Sequence, residues 1–435
     1  MSKIKDNSLV DEGLSSIQWA KDNMPILSRI RKEFEKDKPF LGIRIGVSMH
    51  LDSKTAVFLQ TLQSGGADIS ACSCNPLSTE DGVAAALSES MEIFAWSNET
   101  EEEYYNCLES VIRTAPRITL DDGGDLLYRM HFKFPALLSN IIGGCEETST
   151  GIMRLRAMQD KAELKVPVID LNNAYSKYLF DNRYGSGQSV VEGLVSATNI
   201  LIAGKIIVIV GYGRVGRGLA MRFRGMGARV IVVETTALLD HKGKSGYHKG
   251  LEALYDGNWV SSMDDAASEG DIFITATGSK DVISKHHIKD MKDNSILANA
   301  GHFDHEIDVG SLKNMSKSHE LVRPNLVRYR LKNGKSILLL SEGRLVNLSR
   351  PTGHGHPIEI MDGSFSLQAL CVKYLVKSNQ IKSDKNKMNK KSGVYSVPNN
   401  IDEMVARYAL EEQGVIFKNP TYEQKQYAKK SEEGT

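Results

Sequence analysis

Short apolar runs recur along the chain, each followed by a polar or Gly-rich turn and then a segment of helical periodicity. On the N-terminal side, Ile43 to Val47 reads as a strand and Lys54 to Ser64 as a helix. Ala67 to Ala71 reads as a second strand, and the sheet continues through Ile93 to Ala95 and Ile118 to Leu120. A second series repeats that order with Ile206 to Val210, Val230 to Val233, Ile272 to Thr275, Ser295 to Asn299 and Ser336 to Leu340. Strands alternating with helices predict parallel sheets covered on both faces. At 435 residues the chain exceeds one compact core. The predicted fold class is therefore α/β, with two doubly wound parallel-sheet domains and a small C-terminal tail. The expected boundaries are residues 1–188, completed by 353–385, then 189–352, with 386–435 as linker and tail.

Within that frame, Lys177 to Val191 reads as too polar and Gly-rich to be core. Ile358 to Leu375 reads as a helix returning to the first domain. Lys377 to Ser392 reads as a solvated linker. Asn400 to Glu411 reads as a capped helix, and the last dozen residues as a charged, frayed end.

Charge narrows the function classes. Lysine plus arginine equal aspartate plus glutamate at 54 each, so no net field steers the chain to nucleic acid or to a membrane surface. No apolar run approaches the roughly 20 residues of a membrane span. The N-terminus lacks the apolar segment of a secretory signal. Five cysteines form no C-x-x-C pair, which fits reduced thiols, and Cys72-x-Cys74 reads as packing at a strand end with no metal expected. The expectation is a soluble, cytoplasmic protein.

One block carries specific chemistry. Ile206 to Val210 runs into G-Y-G-R-V-G at Gly211 to Gly216, and the next strand ends at Glu234. A strand, a G-x-G-x-x-G turn, a helix and an acid about 20 residues later together form a dinucleotide-binding signal. Gly211 permits the tight turn, Gly213 lets backbone N–H groups approach a pyrophosphate, and Gly216 lets helix and strand pack closely. The helix N-terminus favours the phosphates. Glu234 would accept the ribose hydroxyls and repel a 2′-phosphate, which favours NAD. The basic stretch Lys242 to Lys249 bears on that preference.

Five polar clusters exceed what a core needs. They are S-M-H-L-D-S-K-T with His50, Asp52 and Lys54; L-D-D-G-G-D at Leu120 to Asp125; C-E-E-T-S-T-G with Glu146 to Gly151; K-Y-L-F-D-N-R-Y-G-S-G with Lys177, Asp181 and Asn182; and A-G-H-F-D-H-E-I-D with His302. Several follow strands, where the crevice at the carboxyl ends of an α/β sheet takes ligands. With I-A-G-K-x-x-V-I-V-G-Y-G-R-V-G-R-G and S-E-G-R-L-V-N-L, these ordered motifs resemble the S-adenosyl-L-homocysteine hydrolase family over residues 10 to 415.

The resemblance implies a hydrolase of thioether bonds with tightly bound NAD, one per subunit, acting on a small nucleoside thioether as a homotetramer, with neither nucleic acid nor membrane as partner. By motif match, Lys177 and Asp181 handle the ribose 3′-hydroxyl, with Lys177 as the base, its pKa lowered by burial near the positive nicotinamide ring. Asp122 and His50 match C4′ proton removal and protonation of water or leaving group; Glu147 and His302 match ribose contacts and proton shuttling. Ser78 and His356 match the substrate side. Thr148, Ser149, Thr150, Asn182, Thr277 and Asn347 match NAD contacts, alongside Gly211, Gly213, Gly216 and Glu234. An ordinary NAD dehydrogenase and a non-catalytic NAD-binding regulatory relative are the competing readings.

Four departures stand against that pattern. His50-x-Asp52-x-Lys54 replaces the usual His-x-Thr-x-Glu and resembles a microbial branch with His-x-Glu-x-Lys. An acceptor beside a donor complements hypoxanthine as well as adenine, so S-inosyl-L-homocysteine is the alternative substrate. The residues after Glu234 diverge into T-T-A-L-L-D. The Gly-His-Pro gate is extended to Gly353-His354-Gly355-His356-Pro357, leaving His354 and His356 as candidates for capping the base. Pro420 to Thr435 lacks the Lys-x-x-x-Tyr tail that in the family reaches a neighbouring subunit.

Overall fold

The computed structural model describes residues 2–235, 245–380 and 391–427. Two sheets organise it. The first contains β1 (Arg44–Ser48), β2 (Asp68–Cys72), β3 (Glu92–Phe94), β4 (Ile118–Asp121), β5 (Gly143–Glu146), β6 (Pro167–Asp170) and, far along the chain, β15 (Gly393–Ser396). Their order is β15-β6-β5-β4-β1-β2-β3, with every pair parallel. The chain leaves β1 for β2 on one side and later returns to β4 on the other. That reversal opens a crevice at the carboxyl ends of β1 and β4.

The second sheet contains β7 (Ile206–Val210), β8 (Arg229–Val233), β9 (Trp259–Ser261), β10 (Ile272–Thr275), β11 (Ser295–Asn299), β12 (Ser316–Arg323), β13 (Leu326–Leu331) and β14 (Ser336–Leu340). Its order is β12-β13-β14-β11-β10-β7-β8-β9; the β12–β13–β14 edge is antiparallel and the rest parallel. Ile207 and Ile209 enter one apolar core while Val208 and Val210 enter another. Burial on both faces explains why β7 reads as an unbroken apolar run.

The structure corrects two sequence expectations. Lys177 to Val191 is mostly helical, in Tyr175–Tyr178, a single wide turn at Asp181–Gly185, and Ser186–Thr198. Much of it is buried, including Lys177, Asp181, Ser186, Ser189 and Val190. Lys177, Asp181 and Asn182 face one another inside the protein. The second correction concerns 386–435, expected to be linker and tail. Here β15 extends the first sheet, and the helix Asn399–Glu412 buries Ile401, Val405 and Tyr408 in the first domain's core. The helix Ile358–Gln380 does place Phe365, Leu367, Ala369 and Val372 in that core. The T-T-A-L-L-D divergence after Thr235, the basic stretch up to residue 244, most of the lysine-rich linker and the final eight residues lie outside the described residues. Among the described residues no helix is long and apolar enough to cross a membrane, and all five cysteines are free and buried.

Asp402 makes the C-terminal helix a support for the site. Its carboxylate accepts the backbone N–H groups of Tyr175 (2.7 Å) and Ser176 (2.8 Å), which open the short helix bearing Lys177. Helix-opening N–H groups have no partner within their own helix, so a distant carboxylate satisfies them. Asp402→Ala is expected to cost about 1–3 kcal/mol of stability and to lower turnover by displacing Lys177. Urea unfolding at an unchanged midpoint would contradict this.

Candidate active site

Three adjacent strands end at one point. One residue beyond β4, Asp122 donates its N–H to the Ser48 carbonyl of β1 (3.0 Å). Two residues beyond β1 lies His50, with Nε2 3.5 Å from Asp122 Oδ2. The Ser78 hydroxyl oxygen lies 2.9 Å from the Asn75 carbonyl and 2.7 Å from His50 Nδ1, whose tautomer sets the direction of that bond. Ser78, matched to the substrate side, is thus buried and orients His50. Burial lowers the His50 pKa, with Asp122 opposing, so the ring is neutral. From the second sheet, His302 comes to 3.8 Å from Asp122 Oδ1 through Nδ1. Gly123 makes room: a Cβ there would lie 2.4 Å from His302 Nε2.

A second group forms around Asp181. Its Oδ1 lies 2.9 Å from Lys177 Nζ and 2.9 Å from His356 Nδ1, and its Oδ2 accepts from the Ser364 hydroxyl (2.8 Å). The Oδ1 contacts are at ion-pair distance without hydrogen-bond alignment. Burial opposes the Asp181 charge, but Lys177 and His356 outweigh it and hold the carboxyl well below its usual range. Lys177 also donates to Asn182 Oδ1 (3.0 Å), whose amide is braced on Asn172 Oδ1 (3.0 Å). Burial works against the Lys177 charge, yet Asp181, Glu147 and Asp122 more than offset it, and the amine stands above the ordinary lysine value. The chain's own residues thus raise the Lys177 pKa, and any lowering would have to come from the nicotinamide ring.

The two histidines of the extended gate take different places. His356 joins the Asp181 group, with Nε2 3.1 Å from Ser186 Oγ. His354 turns its ring toward Arg350 (3.0 Å), and its carbonyl accepts from Lys54 Nζ (2.7 Å). Lys54 is buried and paired with Asp52 Oδ2 at 2.8 Å. Asp52 Oδ1 caps the helix Ser53–Ser64 through the N–H groups of Lys54 and Thr55.

The nucleotide turn fits NAD. Gly211 has φ +103°, a Cβ at Gly216 would lie 1.9 Å from the Gly211 carbonyl, and a Cβ at Gly213 would meet nothing within 4 Å. Open ground therefore lies where a pyrophosphate would approach the helix Arg214–Gly225. Glu234 closes β8 and accepts from the Tyr212 N–H inside the turn, with Lys249 at 3.8 Å. Asn347 donates to Ser189 Oγ (3.1 Å) while its own buried Oδ1 has no hydrogen-bond partner, an acceptor suited to a cofactor donor. The Thr277 N–H and hydroxyl bond Glu306 (2.9 and 2.6 Å). Thr148 serves as a helix cap for Gly151 and donates to Glu146, Ser149 is exposed, and Thr150 half-buried.

The structure adds supporting residues that sequence reading passed over. Asn299 donates to the carbonyls of Gly301, Phe303 and Gly343, fixing the loop that carries His302. Glu306 and Asn172 hold Thr277 and Asn182. Glu306 lies within the A-G-H-F-D-H-E-I-D motif, so its signal was present. Asn172 lies in no quoted motif. No metal was expected, yet ligand atoms of His50, Cys74 and Asp122 lie within 4.8 Å of one another.

A Gly-rich turn on one doubly wound sheet, facing a buried acid–base cluster on another, defines an NAD-dependent enzyme. Sequence models agree: residues 182–353 match the S-adenosyl-L-homocysteine hydrolase NAD-binding domain and residues 1–133 match S-adenosyl-L-homocysteine hydrolase. The chain is 51% identical to an adenosylhomocysteinase of Sulfurisphaera tokodaii, covering 100% of this chain and 99% of that protein. It is 50% identical to an S-inosyl-L-homocysteine hydrolase of Methanopyrus kandleri (99% and 98%), and 49% identical to one of Methanocaldococcus jannaschii (100% of both). The chain belongs to the S-adenosyl-L-homocysteine hydrolase family, and its cofactor is NAD.

Glu147 gives a test of site electrostatics. Burial raises its carboxyl to about 8, against the lowering effect of Lys177. The folded protein therefore holds a proton that the unfolded chain releases near the ordinary carboxylate range. That contribution to stability is complete at acid pH and disappears as pH rises through about 8. Glu147→Gln cannot ionise, so its melting temperature should gain on the wild type between about pH 4.5 and about pH 8. A difference that stays flat with pH contradicts the assignment.

Proposed function

We propose that the protein catalyses reversible hydrolysis of S-adenosyl-L-homocysteine to adenosine and L-homocysteine. The observation that carries this reading is the meeting of His302, from the NAD-binding half, with Asp122 and His50 of the other half. Transfer of a hydride needs one acid–base group; this site has six polar groups in two clusters. NAD, when bound, supplies oxidation of the ribose 3′-hydroxyl and the later reversal of that oxidation. The remaining work is proton transfer by side chains.

In the free chain Lys177 is an ammonium, so it enters as a hydrogen-bond donor to the 3′-oxygen. It becomes a base only as substrate displaces its carboxylate contacts. Asp181 and Asn182 hold it in place. A 3′-carbonyl makes the C4′ hydrogen acidic, and Asp122 is the carboxylate set to remove it. His50, a neutral imidazole, takes and returns the proton needed for departure of homocysteine and entry of water. Glu147 and His302 hold ribose hydroxyls. By the same family likeness the protein works in the cytoplasm as a homotetramer, and the exposed Val415, Ile416 and Phe417 are consistent with cover from another copy.

S-inosyl-L-homocysteine is the second reading. It is favoured by the buried Asp52–Lys54 pair, which presents an acceptor beside a donor. Hypoxanthine offers a donor at N1 and an acceptor at O6, the complementary order. Steady-state kcat/KM on the two thioethers decides between them. An adenosyl preference beyond about 100-fold removes the inosyl reading.

Lys177→Ala and Asp122→Asn are expected to remain folded and lose at least about 100-fold in kcat, as removal of acid–base groups does. Wild-type protein in deuterated water should exchange the C4′ hydrogen of adenosine. Normal turnover in either variant, or no deuterium at C4′, overturns the mechanism.

A further inference from the structure

The structure points to a divalent-cation site of zinc type inside the acid–base cluster, formed by His50, Cys74 and Asp122; we propose that a metal bound there inhibits the enzyme. These residues stand just beyond the carboxyl ends of β1, β2 and β4, which are neighbours in the sheet. Backbone bonds continue past the strand ends and hold all three: Cys74 N–H to the Met49 carbonyl (3.2 Å), Met49 N–H to the Cys72 carbonyl (3.2 Å), and Asp122 N–H to the Ser48 carbonyl (3.0 Å). The imidazole nitrogen, the sulfur and the carboxylate oxygen thereby converge within 4.8 Å of one another.

A second observation indicates a cation. Ser78 Oγ lies 2.7 Å from His50 Nδ1 and fixes the ring so that Nε2 faces the Asp122 carboxylate 3.5 Å away. A ring nitrogen, a carboxylate oxygen and a sulfur thus face one small volume, where a cation would take the Nε2 lone pair and offset the Asp122 charge. One nitrogen, one sulfur and one oxygen suit zinc, whereas magnesium and calcium select oxygen. Ser78 is the outer partner that fixes the ring, as metal-bound histidines require. His302, 3.8 Å from the other Asp122 oxygen, stands near a fourth position. Such an ion would occupy both Asp122 and His50, so metal and nucleoside would exclude each other.

Cobalt(II) titration of the full-length, NAD-loaded protein tests this without turnover, so the outcome does not depend on the hydrolytic mechanism. One cobalt per chain with a thiolate-to-cobalt charge-transfer band is expected, displaced by zinc and weakened by adenosine. Cys74→Ala should abolish the band and weaken binding by more than about 100-fold, beyond the 10–100-fold typical of outer partners and expected for Ser78→Ala. Far-ultraviolet circular dichroism checks the fold of Cys74→Ala; if it is misfolded, His50→Ala must show the same loss. The surface trio Asp264, His286 and His287, with ring-to-carboxylate distances of 3.6 and 3.2 Å, is the adventitious competitor. The proposal is overturned by absence of the band, by its persistence without Cys74, or by binding lost only in His287→Ala.

Discussion

The site exists because a residue without a side chain stands between two domains. Gly123 has φ +118°, a conformation L side chains rarely adopt, and any Cβ there would occupy the place of the His302 ring. The gap lets the loop after β11 reach the loop after β4, so His302 and Asp122 share one small volume. A larger residue at that position would separate the nucleotide-binding half from the acid–base half. The two sheets could still fold, but neither alone carries both parts of the chemistry.

The paired acids show how the first sheet builds its rim. In D-D and E-E the first acid ends a strand and turns inward, while the second turns toward the site. Asp121 accepts the Leu127 N–H (3.0 Å), and Glu146 accepts the N–H groups of Gly123 (3.0 Å) and Thr148 (2.8 Å). The inner acids are cross-strand neighbours in register, Asp121 with Glu146 and Glu146 with Asp170. Burial, then mutual repulsion, raises Glu146 well above the carboxylate range, and burial raises Asp121 to about 7. A proton held on Glu146 lessens the charge that would otherwise confront Asp122. Gly151 belongs to the same device, since a Cβ there would lie 2.2 Å from the Glu146 carboxyl carbon.

What the sequence made legible follows from how local each signal is. Strands β7, β8, β10 and β11 are runs of Ile, Val and Leu buried on both faces, and the nucleotide turn is contiguous, so both could be read directly. Strand β5 is Gly-Gly-Cys-Glu, with no branched apolar residue to mark it. Its glycines answer to distant neighbours: a Cβ on Gly143 would meet Leu375 at 2.9 Å and one on Gly144 would meet Thr119 Oγ1 at 2.6 Å. Strand β15 pairs with β6 across more than 200 residues, which no local pattern encodes. Lys177 to Val191 misled for a related reason. Composition records its polarity but not that Asp181 finds Lys177, His356 and Ser364 in the interior. Motif matching named His50, Asp122, His302, Lys177, Asp181 and His356, which the structure brings into two clusters, but not Ser364, nor the charge state of Lys177, which depends on carboxylates from three separate segments.

The Asp52–Lys54 pair links base recognition to the gate. Asp52 replaces a longer glutamate in the resembling branch, and aspartate is the better helix cap. Its Oδ1 accepts two backbone N–H groups, leaving Oδ2 for Lys54 and for ligand. Lys54 has three N–H donors; one faces Asp52 Oδ2 and one the His354 carbonyl, so one remains. Gly355, at φ +72°, lies so close that a Cβ would be 3.0 Å from Lys54 Nζ and 3.3 Å from Asp52 Oδ2. The Asp52–Lys54 pair and the extended Gly-His-Gly-His-Pro segment thus form one bonded unit. A change in what the pair offers a purine must also change how that segment is held, because the same ammonium serves both.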